Sequence, residues 1–119
     1  MKTIIAGSRS ITDYSIVCRA IEAVPWEITE VVSGTARGVD RLGERWAKEN
    51  NILLKKFPAS WDIYGKIAGL VRNQKMADYA NALLAVWDGK SSGTCDMIKR
   101  AEKHGLKVLI VDISKWEAV

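Results

Sequence analysis

Five short apolar runs, Thr3 to Ala6, Ile28 to Val32, Ile52 to Leu54, Ala82 to Trp87 and Val108 to Val111, alternate along the chain with four segments of helical periodicity. Runs of this length and continuity read as strands buried on both faces, and strands separated by helical crossovers pair in parallel. The first helical segment follows Gly7-Ser8-Arg9-Ser10, with Thr12 or Asp13 as cap; its apolar residues are Ile16, Val17, Ala20, Ile21 and Val24, and Pro25 ends it. The second sets Val39, Leu42, Trp46 and Ala47 on one stripe against Arg41, Glu44, Arg45, Lys48 and Glu49, and stops at Asn50-Asn51. After a loop from Pro58 to Asp62, the third runs from Ile63 to Ala80. Gly65 and Gly69 interrupt it, each costing up to about 1 kcal/mol against alanine in a helix interior. The fourth starts at a Ser92 or Thr94 cap, carries Met97, Ile98 and Ala101, and ends at Gly105.

This alternation specifies an α/β fold: a Rossmann-like three-layer arrangement with a five-stranded parallel sheet in the order 3-2-1-4-5 and helices on both faces. With 119 residues, 48% of them hydrophobic, the chain suits a single domain, 1–119, around one core. No apolar run nears the roughly 20 residues of a membrane span, and Met1-Lys2 leads straight into a strand pattern, so a cytoplasmic location is expected and no membrane partner. Cys18, Cys95 and the lone His104 are too dispersed for a metal cluster, so no metal site is expected. The net charge of +4 comes from scattered Lys and Arg. It favours phosphorylated ligands without arguing for nucleic acid.

In the 3-2-1-4-5 order the chain reverses between strands one and four, and ligands bind in the crevice opened there. Three glycine-bearing loops then meet at one edge: Gly7-Ser8-Arg9, the stretch Ser33 to Asp40, and Trp87 to Thr94. Gly34 and Gly38 can let backbone approach a phosphate, with Thr35 offering a hydroxyl and Arg37 a guanidinium fork. Ser91, Ser92, Gly93 and Thr94 supply hydroxyls beside unpaired N–H groups at a helix start. Asp40 and Asp88 can accept ribose hydroxyls or simply cap, and Trp61 and Trp87 can stack on a base. None of the loops is a G-x-G-x-x-G fingerprint or a Walker A loop, so a conventional NAD or ATP site is not expected and no cofactor is assigned.

Taken in order, Gly7-Ser8-Arg9, Ser33-Gly34-x-Ala36-Arg37-Gly38-Val39-Asp40, Gly69-x-x-Arg72-Asn73-x-x-Met76 and Trp87-Asp88-Gly89-x-Ser91-x-Gly93-Thr94 resemble the YspA-type, cpYpsA-related branch of the SLOG superfamily. That grouping includes the SMF/DprA DNA-processing proteins and the LOG phosphoribohydrolases. The resemblance implies a Rossmann-like module for nucleotides or nucleotide-derived signals, often oligomeric, in bacteria and their phages. It adds Arg72, Asn73 and Gly89 to the expected ligand-binding set of Gly7, Ser8, Arg9, Ser33, Gly34, Thr35, Arg37, Gly38, Asp40, Asp88, Ser91, Gly93 and Thr94.

The LOG enzymes carry R-x-x-x-M followed by P-G-G-x-G-T-x-x-E. Arg72 to Met76 matches the first part, but Trp87-Asp88-Gly89 replaces P-G-G and Met97 stands at the glutamate position. If the protein is a nucleotide glycosidase, Arg72 with Asp88 or Asp96 would be catalytic, although Asp96 lies about 100° around the helix from Met97. The DprA branch shares the Ser33 to Asp40 pattern, but the chain has no basic run with interleaved aromatics that would argue for single-stranded DNA. The expected function is therefore binding of an ADP-ribose-like or nucleoside phosphate ligand as a sensor or sequestering module. A LOG-type hydrolase and a single-stranded DNA module are the alternatives. A homo-oligomer is expected, with Trp26, Trp46 and Trp116 as candidate anchors.

Overall fold

In the computed structural model, residues 1–116 are described. Five parallel strands, β1 (Lys2–Gly7), β2 (Glu30–Ser33), β3 (Leu53–Lys56), β4 (Ala82–Trp87) and β5 (Lys107–Asp112), form one sheet in the order β3-β2-β1-β4-β5. The helices are α1 (Tyr14–Glu22), α2 (Val39–Glu49), α3 (Trp61–Tyr64), α4 (Ala68–Tyr79) and α5 (Ser92–Lys103), and a 3₁₀ turn, Gly65–Ile67, joins α3 to α4. No helix among the described residues is long and apolar enough to cross a membrane.

Side-chain alternation along the strands divides the apolar residues between two faces. Ile4, Val32, Leu83 and Ala85 pack against Met76 and Ala77 of α4 and Met97, Ile98 and Ala101 of α5. The adjacent residues Ile5, Val31, Leu84 and Val86 pack on the other face, against Val17, Ala20 and Ile21 of α1 and Val39 and Ala47 of α2. Each central strand thus needs apolar residues at consecutive positions, which is the pattern the sequence carries. Edge strand β3 is different: Leu53, Lys55 and Lys56 are exposed, and edge lysines discourage pairing with another chain.

Several boundaries depart from the periodicity. Strand β2 begins at Glu30 rather than Ile28, because pairing with β1 starts at Lys2 opposite Glu30. The expected helix from Ile63 to Ala80 is broken in two, and the preceding loop ends at Ser60 because α3 opens at Trp61. Gly65 has φ +55°, a left-handed conformation that ends one helical turn before α4 begins, whereas Gly69 sits inside α4 undisturbed. Asp13 caps α1, accepting from the Ser15 amide at 2.9 Å. The cap of α5 is Ser91 rather than Ser92 or Thr94. Glu44, placed by its charge on the solvent face of α2, is buried. The tryptophans offered as interface anchors are half-buried; Trp26 donates its indole N–H to Thr3 at 2.9 Å and Trp116 lies under the Arg19 guanidinium.

Candidate functional site

The carboxyl ends of β1, β2 and β4 bring the three glycine-bearing loops to one cavity of about 600 Å³, walled on its open side by α3 and the start of α4. That volume falls within the roughly 300–1,000 Å³ of small-molecule sites. Gly7, Arg9, Asp40 and Arg72 line it, as do Asn73, Asp88, Ser91, Gly93 and Thr94.

The loop after β1 is an internal clamp. The Ser8 amide donates to the Val86 carbonyl at 3.1 Å, and its hydroxyl accepts from the Asp88 amide at 3.0 Å and meets Ser91 Oγ at 3.1 Å. Ser8 is fully buried and ties the β1 and β4 loops together; it does not line the cavity. Asp88 is likewise committed to its own turn, accepting from the Lys90 and Ser91 amides at 2.8 Å each and from Ser91 Oγ at 3.1 Å. These bonds, the backbone ones first, favour the carboxylate and lower its pKa from 3.8 to about 2. Gly89, at φ +81°, faces Asp112 and Ser114 rather than the cavity.

In the loop after β2, Ser33 Oγ donates to Glu44 Oε2 at 2.7 Å and accepts from the Thr35 amide at 3.1 Å. Thr35 is held at φ +64°, unusual for a β-branched residue. The Ala36 amide donates to Asp40 Oδ2 at 3.1 Å. Gly38 is required by packing: at φ +76° it lies so close to the first loop that a Cβ would stand 2.4 Å from the Ser8 carbonyl oxygen. Ser33 and Gly38 therefore build the loop without lining the cavity, and Arg37 is exposed and also outside it.

Arg72 projects from α4 across the cavity. Its Nη1 donates to the Gly34 carbonyl and its Nε to Asn73 Oδ1 at 3.0 Å. Asn73 in turn donates to the Gly93 carbonyl at 3.3 Å and to Asp96 Oδ2 at 3.0 Å, and Arg100 Nε meets the same Asp96 oxygen at 2.8 Å. Asp96 thus fastens α4 to α5 and does not line the cavity. At the enzyme family's glutamate position, Met97 presents an apolar wall.

The electrostatics centre on Asp40, which is 5% exposed. Burial raises its pKa from 3.8 to about 6, against the opposing Ala36 hydrogen bond and the charges of Arg72 and Arg9. The same burial lowers the pKa of Arg72, with Asp40 opposing and Arg9 reinforcing the shift. A raised carboxyl pKa stabilises the folded state below 3.8, and that contribution is lost as pH rises through about 6. Relative to Asp40→Asn, wild type should therefore lose on the order of 3 kcal/mol between pH 4 and 7, measured by denaturant unfolding across that range.

Gly34 offers a way to disturb the site alone. An added Cβ would lie 2.7 Å from Arg72 Nη1 and 2.9 Å from Asp40 Oδ2, both the ends of side chains. Gly34→Ala should change stability by less than about 1 kcal/mol while displacing the guanidinium and weakening anion binding about tenfold, read by thermal unfolding and titration calorimetry.

Sequence reasoning assigned no role to Glu44, Ser10 or Lys66. Glu44 is masked by its charge, and Lys66 because the sequence does not tell which of the two interrupting glycines, Gly65 or Gly69, breaks the helix. The exposed residues Trp61 and Leu70 of the wall carry the one legible signal, apolar side chains beside that break.

A parallel sheet with a crevice at its switch point, entered by a half-buried arginine and three loop ends, defines a Rossmann-like fold. Residues 1–64 match the family model described as "YspA, cpYpsA-related SLOG family". The Gene 61 protein of Mycobacterium phage D29 is 33% identical over 118 residues, an alignment covering 91% of this chain and 94% of that protein. The chain belongs to the YspA, cpYpsA-related SLOG family. Among solved structures, DNA processing protein A (DprA) from Streptococcus pneumoniae superposes with a TM-score of 0.73 at 18% identity. The match covers 92% of this chain and 49% of that one, so the two share a fold over about half of the DprA chain.

Proposed function

We propose that the crevice binds a nucleotide unit through its phosphate, with the turn from Ser91 to Thr94 and the Arg9–Arg72 pair receiving the anion and Trp61 with Leu70 walling the base. The observation that carries this reading is Arg72: a partly buried guanidinium, anchored on the Gly34 carbonyl and facing a second arginine, with Asp40 as its nearby carboxylate. Gly93 supports it, because a Cβ there would meet nothing within 4 Å and the backbone is open to a ligand. Trp61 is 53% exposed, unusual for an indole unless it has something to stack on.

Two forms of such a ligand are in view. One is a small nucleotide-derived molecule, ADP-ribose-like or a nucleoside phosphate, held by a sensor or sequestering protein. The other is a nucleotide within single-stranded nucleic acid, favoured by the fold shared with a DNA processing protein. A hydrolase reading rests on less, since Asp88 and Asp96 are committed to structural bonds and Met97 is apolar.

The test is a panel of nucleoside monophosphates, ADP-ribose, NAD, cyclic nucleotides and short single strands, read by thermal shift and by product formation. Shift without turnover supports recognition, whereas release of free base would identify a glycosidase. In the same assay Gly93→Val should lose the shift while keeping the wild-type unfolding temperature within about 2 °C. Absence of a shift with every member of the panel would end the nucleotide reading.

A further inference from the structure

The arginines of the crevice stand on a partition between two recesses. Beside the main cavity lies a second of about 110 Å³, and Arg9, Ala36, Trp61 and Arg72 line both. Gly34, Thr35, Pro58 and Ala59 complete the smaller one. Its lining holds two guanidinium side chains and no carboxylate, whereas the main cavity sets Asp40 and Asp88 against Arg9, Lys66 and Arg72. Asp40 stands behind the wall of the small recess, bonded to the Ala36 amide, so the recess presents the two guanidiniums at its surface with their carboxylate set back from it, an arrangement that draws in an anion.

The chemistry of the small recess is narrow. The Thr35 and Ala36 amides are already spent on Ser33 Oγ and Asp40 Oδ2, so the guanidiniums are its remaining strong donors. At about 110 Å³ it is well below the roughly 300 Å³ where small-molecule sites begin, so it suits a phosphate group rather than a nucleoside. Arg9 and Arg72 also repel each other across the partition, and an anion between them would relieve that repulsion.

We propose that the small recess is a second anion subsite, so that the ligand carries two separated phosphate groups, one in the main cavity at the Ser91 to Thr94 turn and one in the small recess, with Arg9 and Arg72 shared between them. This rests on the nucleotide reading of the main cavity. A free nucleoside 3′,5′-bisphosphate and an internal nucleotide of a single strand share this chemistry.

Calorimetric titration of the full chain with adenosine 5′-monophosphate, adenosine 3′,5′-bisphosphate and a single-stranded pentanucleotide tests it. The bisphosphate or the strand should bind at least about tenfold more tightly than the monophosphate, the gain expected of one added charge-assisted contact. Tighter binding of the strand than of the bisphosphate would identify the strand as the source of the second phosphate, and the reverse order the free ligand. Ala59→Glu places a carboxylate in the recess and should erase the advantage over the monophosphate measured on the same variant; Ala59→Gln, of equal size, should keep it. Equal affinity of all three ligands for wild type, or equal behaviour of the Glu and Gln variants, would overturn the second subsite. Monophosphate binding without any gain overturns the subsite alone, whereas no binding by any of the three overturns the main-cavity reading with it.

Discussion

Replacing Gly7 with alanine is expected to lower stability by about 3 kcal/mol or more, a fall of roughly 10 °C in the unfolding midpoint. A Cβ at Gly7 would stand 2.0 Å from the Val86 carbonyl oxygen and 2.8 Å from Val39 Cγ2. The oxygen belongs to the backbone of β4, a strand paired on both sides, so it cannot withdraw without breaking the sheet. That carbonyl also receives the Ser8 amide, and through Ser8 the turn containing Asp88 and Ser91 is held. Movement here would therefore spread from the core into the crevice. Gly93→Ala is the control, with open space around its Cβ and an expected change below about 0.5 kcal/mol. A Gly7→Ala protein that melts with wild type would show that β1 and β4 do not approach this closely.

Arg72→Ala should weaken binding of whichever nucleoside monophosphate gives the largest thermal shift by about 100-fold, the upper range for a hydrogen bond to a charged group. The substitution removes the donor on the Gly34 carbonyl and the nearest compensating charge on Asp40. The Asp40 midpoint should accordingly rise above its wild-type value of about 6, which carboxyl-carbon NMR titration would resolve. Lysine should restore little, because a point charge cannot span the Gly34 carbonyl and Asn73 Oδ1 as the planar fork does. Affinity unchanged in Arg72→Ala would remove Arg72, and with it the crevice, from ligand recognition. A midpoint for Asp40 that stays near 6 would mean that the two side chains are uncoupled.

The layered fold was legible because its cause is local and repetitive. Consecutive apolar residues such as Ile4-Ile5 and Leu83-Leu84 have a ready place only in a strand covered on both faces, and the helical stripes between them supply the covers. Strand order and the meeting of three loops followed from handedness and topology. The break at Gly65 was harder to place, because a glycine inside a helical pattern reads the same whether it stays in the helix, as Gly69 does, or turns left-handed. Glu44 was misplaced for a related reason. Its charge belongs on the outer face of α2, and the Ser33 hydroxyl arriving from β2, with Arg41 and Lys56 within ion-pair distance, makes its burial tolerable.

The sequence by itself determined which chain segments reach the crevice, because periodicity and turn chemistry act over a few residues. The tertiary structure decided what each residue does there. Ser8, Ser33, Gly38 and Asp96 share the polar or glycine character of ligand-binding residues, yet their contacts bind one loop or helix to another, and the Asp88 carboxylate closes its own turn. Arg72 and Asp40, separated by a strand and two helical segments in the chain, become electrostatically coupled across the cavity. Several of these assignments depend on partners far along the chain, 20 residues for Asn73 with Gly93 and 80 for Ser8 with Asp88, and no local pattern encodes those distances.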